Sequence, residues 1–297
     1  MTFLKKPYRF AILYSILLTC LSAYALLDAF VIPKGAVHVP SQAVQPPHET
    51  AKAVATDTSY RDANIQITIE KGRAFDSNYY VADIVLSSAD FLKTALANNT
   101  YGRNIRQTTS EIAKARDAIL AINGDYYGFR DTGVVLRNGV LYRGAGHANS
   151  GDALLIDAAG NLSVVDETTI SDADLKARGI QQALSFGPGL VVNGRNVVDA
   201  AAARGQVAEQ NPRTAIGQIS ELHYVVIVVD GRTSASRGVT LEQLAELFVR
   251  HGAKTAYNLD GGGSSSLVFG GKLINQPTDG RTSGERRVSD IVYFGHE

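Results

Sequence analysis

The residues most able to do chemistry lie in one short stretch. Asn258, Leu259 and Asp260 are followed by three consecutive glycines, Gly261 to Gly263, and three hydroxyls, Ser264 to Ser266. A carboxylate in that setting can take up or give a proton, or ligate. Consecutive glycines leave backbone N–H groups open to an anion, at an entropic cost of roughly 0.5–1 kcal/mol each. A flexible Gly/Ser turn would have the same composition, but apolar strands flank this one on both sides. It is not a Walker loop, because no Gly-Lys-Ser/Thr follows.

Other polar clusters also follow apolar runs: Asn123-Gly124-Asp125-Tyr126-Tyr127, Asn211-Pro212-Arg213-Thr214, Asp230-Gly231-Arg232 and Gly284-Glu285-Arg286-Arg287. Taken singly, each reads as a turn or a solvated charge run. Taken together, they supply arginine forks, which match phosphate oxygens, and carboxylates, which do acid–base work at glycosidic oxygens. His147 is the histidine in a polar glycine loop. No His-x-x-x-His spacing and no Gly-x-Ser-x-Gly elbow occurs. No metal site and no cofactor is therefore expected, with a divalent cation left as an open addition.

These clusters need elements to position them. Strands are expected over 65–69, 79–86, 118–122, 182–186, 190–192, 214–219, 224–229, 255–259, 266–269 and 291–294. Hairpins are expected at Asn138-Gly139, at 157–161, across Gly187-Pro188-Gly189 and at 220–223. Helices are expected over 88–97, from Thr109 or Ser110 to Ala115, and from a capping box at Thr240 and Gln243 to a stop at Gly252. Many strands and few helices make an α+β fold with mixed, largely antiparallel sheets. This would be a single catalytic domain behind an N-terminal membrane helix.

The 297 residues carry 29 basic and 29 acidic side chains, so no net field points to nucleic acid. The single cysteine, Cys20, lies in the leader, so the body has no disulfide or thiol nucleophile. Lys5, Lys6 and Arg9 precede an apolar run from Phe10 to Ile32, interrupted by Asp28. A run of about 20 apolar residues spans a bilayer, and the basic flank leaves the body outside the cytoplasm. An uncleaved anchor over 1–32 is expected, and secretion after cleavage near Ser22-Ala23-Tyr24-Ala25 is the alternative. Residues 33–60, punctuated by Pro40, Pro46 and Pro47, read as a disordered tether, and 61–297 as the catalytic domain.

Asn123-Gly124-Asp125-Tyr126-Tyr127, Arg213-Thr214-Ala215-Ile216-Gly217, Val229-Asp230-Gly231-Arg232, Asn258-Leu259-Asp260-Gly261-Gly262-Gly263-Ser264-Ser265 and Glu285-Arg286-Arg287-Val288 resemble the phosphodiester glycosidase family. The likeness runs over about 65–295. It implies an exported glycosidase that cleaves a sugar, GlcNAc or similar, from a sugar-1-phosphodiester. The substrate would be a glycan or glycopolymer of the envelope or exterior; bacterial members are often linked with exopolysaccharide. Relatives commonly carry Asn-Gly-Gly-Phe-Phe where this chain has Asp125 and two tyrosines. In this reading Asp260 is general acid or base, with Asp230, Asp125 or Glu285 as partner. Arg213 and Arg232 hold the phosphodiester, joined by Asn123, Thr214, Asn258, Gly261, Gly262, Gly263, Ser264, Ser265 and Arg286. Two further readings stand beside it. One is a non-catalytic glycan-binding module. The other is a metal-dependent phosphodiesterase attacking phosphorus, with Asp230, Asp260 and Asn258 as oxygen ligands.

Overall fold

The computed structural model describes residues 7–39, 53–149, 151–199, 208–280 and 282–296. The strand pairings among them are antiparallel, and the α-helices are four: α1 (Pro7–Phe30), α2 (Thr109–Ala115), α3 (Asp172–Ala177) and α4 (Leu241–Arg250). This is the α+β architecture expected.

The frame is a nine-stranded sheet with Arg213–Ser220 and His223–Val229 near its centre, flanked by Thr255–Asn258 and Ser77–Leu86. Both central strands are buried on both faces. Ile216, Tyr224, Val226 and Val228 point to one side, and Ala215, Val225, Ile227 and Val229 to the other. The first side packs on a five-stranded sheet built from Leu92–Leu96, Leu120–Asn123, Leu267–Phe269 and Asp290–Phe294 with a short edge strand. The second side is covered by α4, whose Leu241, Leu244, Leu247 and Phe248 fall at helical spacing and are buried. Each of those side chains contributes roughly 1.5–3 kcal/mol by leaving water. The helix starts at the Thr240–Gln243 capping box and ends before Gly252, at φ +78°. A second five-stranded sheet, including Asp152–Asp157 and Ile180–Leu184, completes the body.

Four expectations change. Residues 88–97 do not form a helix: Ser88 caps a single 3-10 turn, and Leu92–Leu96 is a strand paired with Asp290–Phe294. The alternation of Leu92, Thr94 and Leu96 fits the strand period, and an open sheet edge outweighs local helix propensity. Ile180–Leu184 and Gly189–Val192 are not a hairpin, because they join different sheets. Helix α3 was not foreseen, although Ser171 and Asp174 form its capping box. The segment expected to be a tether contributes strands. Lys34–His38 pairs with Thr100–Arg103, Val54–Ala55 pairs with Ser59–Arg61, and the latter pairs with Ile65–Ala74. Backbone pairing at sheet edges needs no apolar periodicity, so composition did not reveal it. Pro40, Pro46 and Pro47, like Lys5 and Lys6, lie outside the described residues.

Helix α1 is exposed along its length, and Tyr8–Phe30 is long and apolar enough to cross a membrane or act as a signal sequence. Its end is tied to the body: Asn104 Nδ2 donates to Ala29 O and Ile32 O.

Candidate active site

The site forms where the two packed sheets end side by side. Asn123, the last residue of Leu120–Asn123, makes the join. Its Nδ2 donates to Asp260 O at 2.6 Å, and its Oδ1 accepts from Thr214 Oγ1 at 2.8 Å and from Ser266 N at 3.1 Å. Asn123 and Thr214 are therefore engaged with protein. Asn258 Nδ2 donates to Gly187 O, which fixes the loop after Ile180–Leu184.

The glycine loop holds Asp260 at 9% exposure. Burial pushes its carboxyl up to about 6, against the opposing pull of Ser264, Arg286 and the Gly261 N–H. Ser264 Oγ lies near enough to favour the anion but makes no hydrogen bond of normal geometry. The buried hydroxyls of Ser264, Ser265 and Ser266 and Oδ1 of Asn258 have no protein partner among the described residues.

The expectation of an open backbone nest is revised. Gly261 N bonds Asp260 Oδ1, Gly262 N bonds Pro212 O, and the N–H groups of Ser264 and Ser265 close a 3-10 turn onto Gly261 O and Gly262 O. The glycines serve close packing instead. A Cβ on Gly262, at φ +64°, would lie 2.8 Å from Arg232 Nη2. One on Gly263 would lie 2.5 Å from Asp279 Oδ1 and 2.9 Å from Arg286 Nη2. The absence of side chains brings two guanidinium groups onto the loop.

Arg232 is held by Asn211 Oδ1, at 3.1 and 3.3 Å, and its own φ of +63° is a left-handed conformation that costs a non-glycine residue of order 1 kcal/mol or more. Arg286 Nη2 sits 2.6 Å from Asp279 Oδ1, and that pairing lowers the Asp279 carboxyl below its usual range. Asp279 was missed because the Thr278-Asp279-Gly280 turn carries no signal apart from its contact with Arg286. Arg213 is buried behind Gly261, donating Nε to Val239 O and Nη2 to Glu209 O, and burial and Arg232 bring its guanidinium down to about 10.

The three carboxylates expected as partners of Asp260 are engaged elsewhere. Asp125 Oδ1 accepts from Arg130 Nη2 at 2.7 Å and from Tyr126 N, and its Oδ2 accepts from Ser185 N at 2.9 Å and lies 3.6 Å from Arg137 Nη2. Arg137 also reaches Asp290 Oδ2 at 2.7 Å, and Asp290 Oδ1 takes Asp125 N, so this is a buried ionic network. Burial raises the Asp290 carboxyl to about 6. Asp230 Oδ1 accepts from Gln276 N and Asn275 Nδ2, and its Oδ2 from Tyr80 Oη. Burial raises its carboxyl too. Glu285 accepts from Ser110 N at the start of α2. Among the described residues no group of three or more His, Cys, Asp and Glu is placed to hold a metal ion.

A cavity of about 730 Å³ adjoins this loop, sharing Asp279 and Arg286 with it and continuing past Glu285, Arg287 and Arg106 to Pro33. His147 lines a second cavity, of about 470 Å³, with Tyr101 and Tyr142.

The arrangement of two packed antiparallel sheets is a fold that known structures share. The catalytic domain of zebrafish N-acetylglucosamine-1-phosphodiester alpha-N-acetylglucosaminidase, auto-inhibited by its pro-peptide, superposes with a TM-score of 0.67 at 22% identity, covering 91% of this chain and 99% of that one. Residues 116–295 match the family model for phosphodiester glycosidase, and the chain belongs to that family. The SPbeta prophage-derived uncharacterized protein YomE of Bacillus subtilis is 32% identical over 70% of this chain, and the bovine N-acetylglucosamine-1-phosphodiester alpha-N-acetylglucosaminidase is 38% identical over 27%. The chain spans 32% of the first protein's length and 16% of the second's.

Proposed function

We propose that this protein is a hydrolase that releases a sugar from a sugar-1-phosphodiester. The observation that carries the reading is the buried carboxylate of Asp260, raised to about 6 and flanked by Arg286 and Arg232 on a side-chain-free loop. A carboxyl titrating near 6 is ionised at neutral pH and still basic enough to take a proton from water, a step typically worth about 10²–10⁴-fold. In this reading Asp260 activates water against the anomeric carbon. The bond from that carbon to the bridging oxygen breaks, and the phosphate leaves with the electron pair. Charge developing on that oxygen faces the guanidinium forks of Arg286 and Arg232, so the leaving group needs little protonation. Asp279 aims Arg286, and Arg213 adds positive potential from behind Gly261.

Asp230, Asn123 and Thr214 brace the loop, Asp125 ties Arg130 and Arg137 to the Ser185 backbone, and Glu285 anchors the Arg286 segment to α2. The unpartnered hydroxyls of Ser264 to Ser266 and Oδ1 of Asn258 are suited to sugar hydroxyls or ordered water. GlcNAc, which the names of the vertebrate relatives specify, is the sugar to try first. Helix α1 holds the protein at a membrane, with the body on the side away from Lys5, Lys6 and Arg9.

The test is product analysis of a GlcNAc-α-1-phosphate methyl ester with the full-length protein in detergent. Free GlcNAc and methyl phosphate support the reading. GlcNAc-1-phosphate and methanol would mean attack at phosphorus, and chelator sensitivity would add a metal to it. Binding without turnover would make the protein a glycan-binding module.

A further inference from the structure

The cavity beside the catalytic loop lies close in sequence to the membrane helix. Pro33, on its rim, is three residues beyond Phe30, the last residue of α1. Three extended residues span at most about 11 Å. The connection is also fixed. Asn104, itself a lining residue and 8% exposed, donates to Ala29 O and Ile32 O, Lys34 pairs with Asp28, and Lys34–His38 is locked as a strand against Thr100–Arg103. A helix of 24 residues is about 36 Å long, slightly more than the hydrocarbon core of a bilayer, which places Asp28, Lys34 and the cavity rim at headgroup level.

The lining suits phosphate at that level. Arg106, Arg286 and Arg287 face it, against Asp279 and Glu285. A stacked path runs between the rim and the loop. The Arg106 guanidinium lies 5.8 Å from the Phe129 ring centroid, and Phe129 stacks on Tyr126 at 4.7 Å. Tyr126, 38% exposed, lies within the electrostatic reach of Arg286.

Resting on the glycosidase reading above, we infer that this cavity receives the alcohol side of the phosphodiester from the membrane surface, and that the substrate is a lipid-borne sugar-1-phosphodiester rather than a diffusing glycan. The lipid chain stays in the bilayer, the phosphate crosses Arg106 and Arg287 to Arg286, and the sugar reaches Asp260. A body fixed within about 11 Å of the surface meets such a substrate by lateral diffusion.

The test uses full-length protein in phosphatidylcholine vesicles, with two probes: a GlcNAc-α-1-phosphate ester of a long-chain alcohol carried in the vesicles, and the methyl ester in solution. A second form carries 20 Gly/Ser residues inserted between Phe30 and Val31, which lets the body move roughly 25 Å from the surface. The native tether is expected to turn over the vesicle-borne ester at least 10-fold faster than the methyl ester at matched bulk concentration. The insertion should remove that preference while leaving methyl-ester turnover unchanged. A nitroxide at Asn98→Cys, an exposed residue of the cavity lining, in a Cys20→Ser background, should be broadened by a headgroup-chelated paramagnetic ion with the native tether and released by the insertion. Equal rates on the two esters, a preference that survives the insertion, or a label the headgroup ion never reaches would overturn the inference. If neither ester yields sugar while the label still meets the headgroups, the glycosidase reading fails and takes the substrate assignment with it, and the membrane placement of the cavity stands.

Discussion

Asp260→Asn separates the catalytic role of this carboxylate from a structural one. In the unfolded chain the carboxyl titrates near 3.8, and in the folded protein near 6. The native state therefore holds the proton more tightly. Stability associated with the protonated form is fully present below about pH 4 and is lost as pH rises through about 6. At 1.36 kcal/mol per pH unit, ionising Asp260 in the folded protein costs about 3 kcal/mol at neutral pH. Asparagine carries no charge, and its Oδ1 can still accept from Gly261 N. The variant should thus be more stable than the native protein at pH 7, by up to about 3 kcal/mol, and no more stable at pH 4. Its turnover should fall by about 10²–10⁴-fold. Thermal unfolding at pH 4 and pH 7, together with sugar release, reads both effects. For the native protein kcat/KM should rise with pH through about 6, as a required base ionises. Turnover of the Asn variant within a few-fold of native, or a stability gain equal at both pH values, would refute the reasoning.

Arg286→Lys keeps charge but loses the fork to Asp279 and to phosphate; turnover should drop at least 10-fold with the fold retained by circular dichroism, and unchanged kinetics would move phosphate binding to Arg232. Gly263→Ala places a methyl 2.5 Å from Asp279 Oδ1 and 2.9 Å from Arg286 Nη2, so it should raise KM and lower kcat by displacing Arg286, with little cost in stability because both atoms are the ends of flexible side chains. Asp125→Ala leaves Arg137 and Arg130 without their shared carboxylate and should cost about 3–5 kcal/mol in denaturant unfolding; a loss of activity at native stability would instead make Asp125 catalytic. A fragment beginning at residue 53 should fold, whereas one beginning at 65 exposes the edge of Ile65–Ala74 and should be less stable by differential scanning.

Much of the frame was legible because it follows from local chemistry. Asn138-Gly139, at φ 49° and 77°, turns the hairpin its dipeptide demands, and α4 begins at Thr240 and stops before Gly252 as its caps dictate. The loop from Asn258 to Ser266 also announced itself, since glycines and a carboxylate at a strand end have few bland uses. Sequence could not assign the duties of the charged residues. Asp125, Asp230 and Asp260 each follow an apolar strand and look alike in one dimension. In the fold, Asp125 meets two arginines, Asp230 meets Tyr80, Asn275 and Gln276, and Asp260 alone is raised to about 6 beside the glycine loop. Their partners lie up to 165 positions away in the chain. The edge strand Lys34–His38 and the pairing of Asp279 with Arg286 were hidden for the same reason. Backbone pairing and the energy of a charge depend on what the other elements bring within a few ångströms, and that is set only when the sheets pack.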